Sequence, residues 1–169
     1  MERKNLWETY TKEQIQELET LNESYKVYLD KGKTERECIY EAVKMAKNAG
    51  YRDLNDVIAS GETLESGDKI YAVCMDKTIA LFQIGEEPLE NGMNILGAHV
   101  DSPRIDVKQN PLYEAGELSY LDTHYYGGVK KYQWVTIPLA IHGVVVKSNG
   151  TKVKVVIGED EKDPVFVIT

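Results

Sequence analysis

Residues 93–103 read Met93-Asn94-Ile95-Leu96-Gly97-Ala98-His99-Val100-Asp101-Ser102-Pro103. The stretch 93–99 carries no formal charge, is mostly apolar, and runs through small residues to its closing histidine. It is predicted to form a strand buried on both faces. In open α/β sheets functional groups gather at the carboxyl ends of strands, which places His99 where chemistry is done. Pro103 disfavours helical backbone at Ser102 and keeps the chain extended. Extended residues two apart share a face, so His99 and Asp101 point the same way with α-carbons about 6.5–7 Å apart. Imidazole is a good zinc ligand at neutral pH, and a neighbouring carboxylate orients the ring and raises its basicity. The pattern has the chemistry of a metal site. It equally suits a partly buried histidine hydrogen-bonded to its neighbour, because His-x-Asp is short and common.

Upstream the period is helical. Thr11-Lys12-Glu13-Gln14 has the form of a capping box. Ile15, Leu18, Leu21, Tyr25 and Tyr28 follow at amphipathic spacing, and Gly32 ends the run. A second start at Thr34 leads a stripe of Cys38, Ile39, Ala42, Val43 and Ala46, closed by Gly50. A short third helix is expected over 54–59, before Gly61. The period then changes to strands at 69–75 and 78–84, with a tight turn at Asp76-Lys77. Cys38 and Cys74 are far apart, without metal-type spacing, and read as small reduced core residues.

Downstream, 104–107 reads as a short strand. The stretch 109–131 is irregular and rich in Tyr and Gly. Residues 135–146 form a long apolar run, Ser148-Asn149-Gly150 signals a hairpin turn, and 152–157 alternates Lys and Val. An acidic loop over 158–164 leads into a last apolar β stretch, 165–169, an ending that favours a chain cut from a longer one. His142 lies inside the apolar run and reads as a core or edge histidine. His124 either lines a cleft or is a hydrogen-bonded loop residue. The glycines, aromatics and lysines of Tyr125-Tyr126-Gly127-Gly128-Val129-Lys130-Lys131-Tyr132-Gln133-Trp134 either shape a pocket or form a solvated loop. Asp53, Asp56 and Glu159-Asp160-Glu161 read as solvated carboxylates. No phosphate loop, dinucleotide fingerprint or nucleophile elbow is present.

The bulk numbers narrow the class. A hydrophobic share of 42% with 28% charged residues supports an ordinary packed core. The net charge of −8 argues against a nucleic-acid partner, since phosphate neutralisation calls for a basic surface. No apolar run suits a membrane span, and the charged start Met1-Glu2-Arg3-Lys4-Asn5 is unlike a secretory signal. No membrane partner and a cytoplasmic location are expected.

Leu96-Gly97-Ala98-His99-Val100-Asp101-Ser102-Pro103-Arg104 resembles the first metal-binding motif of the aspartyl aminopeptidase and aminopeptidase I family of zinc metallopeptidases. The helical N-terminal region, the Tyr-Gly-Gly segment ending at Trp134, and Pro138-Leu139-Ala140-Ile141-His142-Gly143 resemble that family too, most closely its bacterial members. The resemblance implies an α/β fold: residues 1–134 as the N-terminal part of a zinc-exopeptidase catalytic domain with a central sheet, and 135–169 as the start of an inserted β-rich assembly domain. It implies two zincs per subunit, peptide substrates with a free N-terminus, and a homo-oligomer, commonly a dodecamer. His99 matches the family's first metal ligand. Asp101 matches the catalytic-site acid that orients that ligand. The family's bridging Asp, Glu general base and other ligands have no counterpart in this sequence and would follow Thr169. The alternative is a non-catalytic peptide-binding or assembly module in which His99 is structural, or a β-rich interaction module with an exposed edge.

Overall fold

The computed structural model describes residues 5–169 and is mixed α/β. It separates into two compact units, Met1–Val100 and Asp101–Thr169.

In the first unit, a one-turn 3₁₀ segment at Leu6–Glu8 precedes α1 (Lys12–Lys31). The capping box is formed: the Thr11 hydroxyl accepts from the Gln14 amide, and the Gln14 side chain accepts from the Thr11 amide. α1 ends at Gly32, but at a φ of −98°, outside the left-handed region. The glycine is demanded by packing instead. A β-carbon there would stand 2.8 Å from the Cys38 sulfur and 3.1 Å from the Tyr28 carbonyl oxygen. α2 (Glu35–Asn48) starts from the Thr34 cap and buries Cys38, Ile39 and Ala46. Burial, helped by the neighbouring Cys38 thiol, pushes the Tyr28 phenol up to about 12.

The two-residue strand β1 (Arg52–Asp53) leads into α3 (Leu54–Ser60), which Gly61 closes at a left-handed φ of 69°. Asp53 is not the solvated carboxylate expected: it caps α3 by accepting from the Asn55 amide. β2 (Lys69–Cys74) pairs parallel with β1 and antiparallel with β3 (Thr78–Gln83). Val57 from α3 and Ile70 and Tyr71 from β2 complete the buried set with the α2 residues. The β2–β3 turn falls one residue earlier than the spacing suggested. Met75 and Asp76 take positive φ, and Arg36 holds the turn by donating to the Met75 carbonyl oxygen. Cys74 sits next to this turn, at the end of β2, and is exposed, not in the core.

Residues 93–99 do not form the strand expected of them. The sheet of this unit stops at β1, β2 and β3, so none of the described residues supplies the ladder that a central strand requires. Ile95 is 81% exposed and Leu96 95%.

The second unit is built from two hairpins. β4 (Arg104–Ala115) and β5 (Leu118–Tyr126) pair antiparallel across most of the stretch expected to be irregular. Gly116 and Glu117, both at positive φ, make the two-residue connection. The register slips between Val107 and Leu112. Pro111, which has no amide hydrogen to donate, lies within that slip. A single helical turn, α4 (Lys131–Trp134), precedes the second hairpin, β6 (Ile141–Val146) and β7 (Lys152–Ile157). Its loop contains the expected Asn149-Gly150, with Gly150 at a φ of 83°. The last apolar stretch contributes one bridge, Leu139 to Phe166, and not a strand.

The acidic loop after β7 is organised and not simply solvated. Asp163 accepts from the Gly158 amide at 2.8 Å and the Asp160 amide at 3.3 Å. Those bonds hold its carboxyl below the usual aspartate range. Glu159 reaches His142 at 2.8 Å, and the His142 side chain is mostly buried beneath it.

Two tests follow from these contacts. Gly32→Ala is expected to lower unfolding free energy by about 1–3 kcal/mol, the usual cost of overpacking, with part regained in Gly32→Ala/Cys38→Ala. Urea midpoints unchanged by Gly32→Ala would contradict the packing constraint. The depressed Asp163 value means its stabilisation is present at neutral pH and is lost as pH falls through and below the ordinary aspartate range. Protection of the Gly158 amide from hydrogen exchange should therefore fade in acid, and should be absent at all pH in Asp163→Ala. Equal protection in that variant would show that the carboxylate does not hold the loop.

Candidate metal-ligand segment and its hairpin clasp

His99 lies in the first unit, in a segment without regular structure, and its side chain is exposed. An exposed imidazole is a competent metal donor. Among the described residues no group of three or more His, Cys, Asp or Glu side chains converges on a point. The donor chemistry present fits one ligand of a zinc centre, with further ligands required to complete it.

Asp101 opens the second unit and is half-buried. Its carboxylate accepts a hydrogen bond from the Tyr126 phenol, Oη to Oδ2 at 2.9 Å. Tyr126 is the last residue of β5 and stands opposite Arg104, the first of β4. The Arg104 guanidinium lies 4.0 Å from the centre of the Tyr126 ring, a cation–π geometry. Arg104 Nε also donates to Asp106 Oδ1 at 2.7 Å, so the guanidinium is held from a second side. Gly127 follows at a φ of 73°, and a β-carbon on it would meet Pro103 at 3.6 Å. The chain thus leaves β5 in a left-handed turn close against Pro103. Glycine takes that conformation without steric cost.

Sequence reasoning singled out Asp101 but missed Tyr126 and Arg104 as its surroundings. The signal that could have found them was the hairpin itself. Once 104–115 and 118–126 are read as paired strands around Gly116-Glu117, Arg104 and Tyr126 become cross-strand neighbours.

The Tyr-Gly-Gly segment does shape a pocket. A cavity of about 230 Å³ is lined by Ile105, Thr123, Tyr125, Val129, Lys131, Trp134, Val135 and Ile168. Lys131 Nζ lies 5.0 Å from the centre of the Tyr125 ring. His124 is not among its lining residues. Its ring stacks on Tyr125 at 5.4 Å between centroids.

Comparison with known proteins agrees with the motif. Residues 28–169 match the family described as Aminopeptidase I zinc metalloprotease (M18). The chain is 55% identical over 168 residues to the "Probable M18 family aminopeptidase 1" of Clostridium acetobutylicum, covering 99% of this chain and 36% of that protein. The crystal structure of aminopeptidase I from Borrelia burgdorferi B31 superposes with a TM-score of 0.87 at 44% identity, over 98% of this chain and 40% of that one. That of aminopeptidase I from Clostridium acetobutylicum gives 0.84 at 54% identity, over 100% and 37%. The chain spans about 36% of the length of the curated relatives it matches. With its family match running from Tyr28 to Thr169, this chain belongs to the aminopeptidase I family of zinc metalloproteases.

Proposed function

We propose that this chain is the amino-terminal portion of a zinc-dependent aminopeptidase that removes N-terminal residues from peptides. The observation that carries the reading is the family match spanning residues 28–169, with the His99-Val100-Asp101-Ser102-Pro103 element inside it. His99 is read as the first metal ligand and Asp101 as the residue that orients its ring. Residues 1–134 are assigned to the catalytic α/β domain and 135–169 to the start of an inserted β-rich domain. The exposed Ile95 and Leu96 suit a segment that becomes a central strand when the rest of the longer polypeptide supplies its neighbours. The protein is read as a cytoplasmic homo-oligomer, a dodecamer by its resemblance. No described helix is long and apolar enough to cross a membrane.

When bound, zinc lowers the pKa of a coordinated water and polarises the scissile carbonyl. The part assigned to this chain is to hold and orient. His99 offers a neutral imidazole nitrogen as donor. Asp101 would accept a hydrogen bond from the N–H of the other ring nitrogen, which fixes the tautomer and raises the basicity of the donor. The proton transfers of hydrolysis are assigned to a Glu general base elsewhere in the longer polypeptide.

In the full-length protein, His99→Ala is expected to abolish stoichiometric zinc and turnover while leaving the fold, read as an unchanged far-ultraviolet circular dichroism spectrum. Two zincs and normal turnover in that variant would rule out the ligand role and leave His99 structural. Asp101→Asn should weaken zinc binding by about 10–100-fold. Chelator competition read at equilibrium gives this number, and an unchanged affinity would remove Asp101 from the site.

A further inference from the structure

The Asp101 carboxylate is clasped within its own unit by groups to which the reading above gives no part. An aspartate carboxylate swings broadly about its last torsion unless a partner fixes it. A residue that must aim one oxygen at an imidazole therefore needs something to hold the other. Tyr126 Oη donates to Oδ2 at 2.9 Å, a bond strengthened by the charge of its acceptor. The donor is itself held. Arg104 is its cross-strand partner, lies 4.0 Å over its ring, and is tied by Nε to Asp106 at 2.7 Å. Tyr126 is 41% exposed, and its ring is covered on one face by Arg104.

We propose that Tyr126 is a positioning residue for zinc binding: its phenol, steadied by Arg104, fixes the Asp101 carboxylate so that Asp101 can orient the His99 ring. The proposal rests on the roles of His99 and Asp101 proposed above. Tyr126→Phe deletes only the hydroxyl and keeps the ring beneath Arg104, so the hairpin should persist.

The test is a double-mutant cycle on the full-length protein, with zinc affinity measured by competition against a chromophoric chelator and thermal stability measured alongside. Wild type, Tyr126→Phe, Asp101→Asn and the double variant are compared. Tyr126→Phe is expected to weaken zinc binding about 10-fold, the low end for groups behind a metal ligand, without a matching loss of stability. In the Asp101→Asn background it should cost nothing further, because coupled residues are not additive. Unchanged affinity in Tyr126→Phe overturns the clasp, as does an equal loss in both backgrounds. A drop in stability without a change in zinc affinity assigns Tyr126 to the hairpin alone and overturns it too. If Asp101→Asn itself leaves affinity intact, the orienting role of Asp101 falls and takes the clasp with it. Failure confined to Tyr126→Phe leaves the roles of His99 and Asp101 standing.

Discussion

Asp101 and Tyr126 are 25 residues apart in sequence, and a hydrogen bond joins them at the open end of the β4–β5 hairpin. The hairpin makes that bond possible. Its pairing brings Arg104 opposite Tyr126, the left-handed Gly127 lets the chain turn away close to Pro103, and Asp101 lies just beyond the strand end. A two-stranded hairpin is marginal in water by itself. Here the ends are tied by side chains as well as by the ladder: the guanidinium over the phenol, the phenol to the carboxylate, and Lys108 to Asp122 beside the slipped register.

The first unit is organised differently. Its buried residues come from α2, α3 and β2, and its tightest constraint is Gly32 against Cys38. That contact lets α1 and α2 meet across a three-residue connection, Gly32-Lys33-Thr34. Much of the apolar surface elsewhere stays open, including Leu21 and Tyr25 on α1 and Ile95 and Leu96 before His99.

The helices were legible in the sequence because their signals are local. The capping box at Thr11 and the stripe from Cys38 to Ala46 each depend on residues within a few turns: the box is formed as read, and the stripe buries Cys38, Ile39 and Ala46 while Ala42 and Val43 stay half-buried. The β6–β7 hairpin was legible for the same reason, since Asn149-Gly150 announces its own turn. Three features were not legible, each because the deciding partner is remote or the local signal misleads. Pro111 interrupts the β4 pattern and disguises a twelve-residue strand. Glu117, a non-glycine residue at positive φ, does not announce a turn. The stretch 93–99 has the composition of a central strand, but composition cannot supply the neighbours that would pair with it. At the site, His99 and Asp101 stood out by motif. Tyr126 and Arg104 did not, because their importance comes from cross-strand register, which reads from the sequence only once the hairpin is known.

The most direct measurement is an anomalous diffraction map at the zinc edge from crystals of the full-length, zinc-loaded protein. The expected result is a zinc peak about 2.0–2.1 Å from a ring nitrogen of His99, with Asp101 on the other ring nitrogen. Zinc bound entirely by other residues, with His99 remote from every peak, would contradict the assignment of this segment to the metal centre.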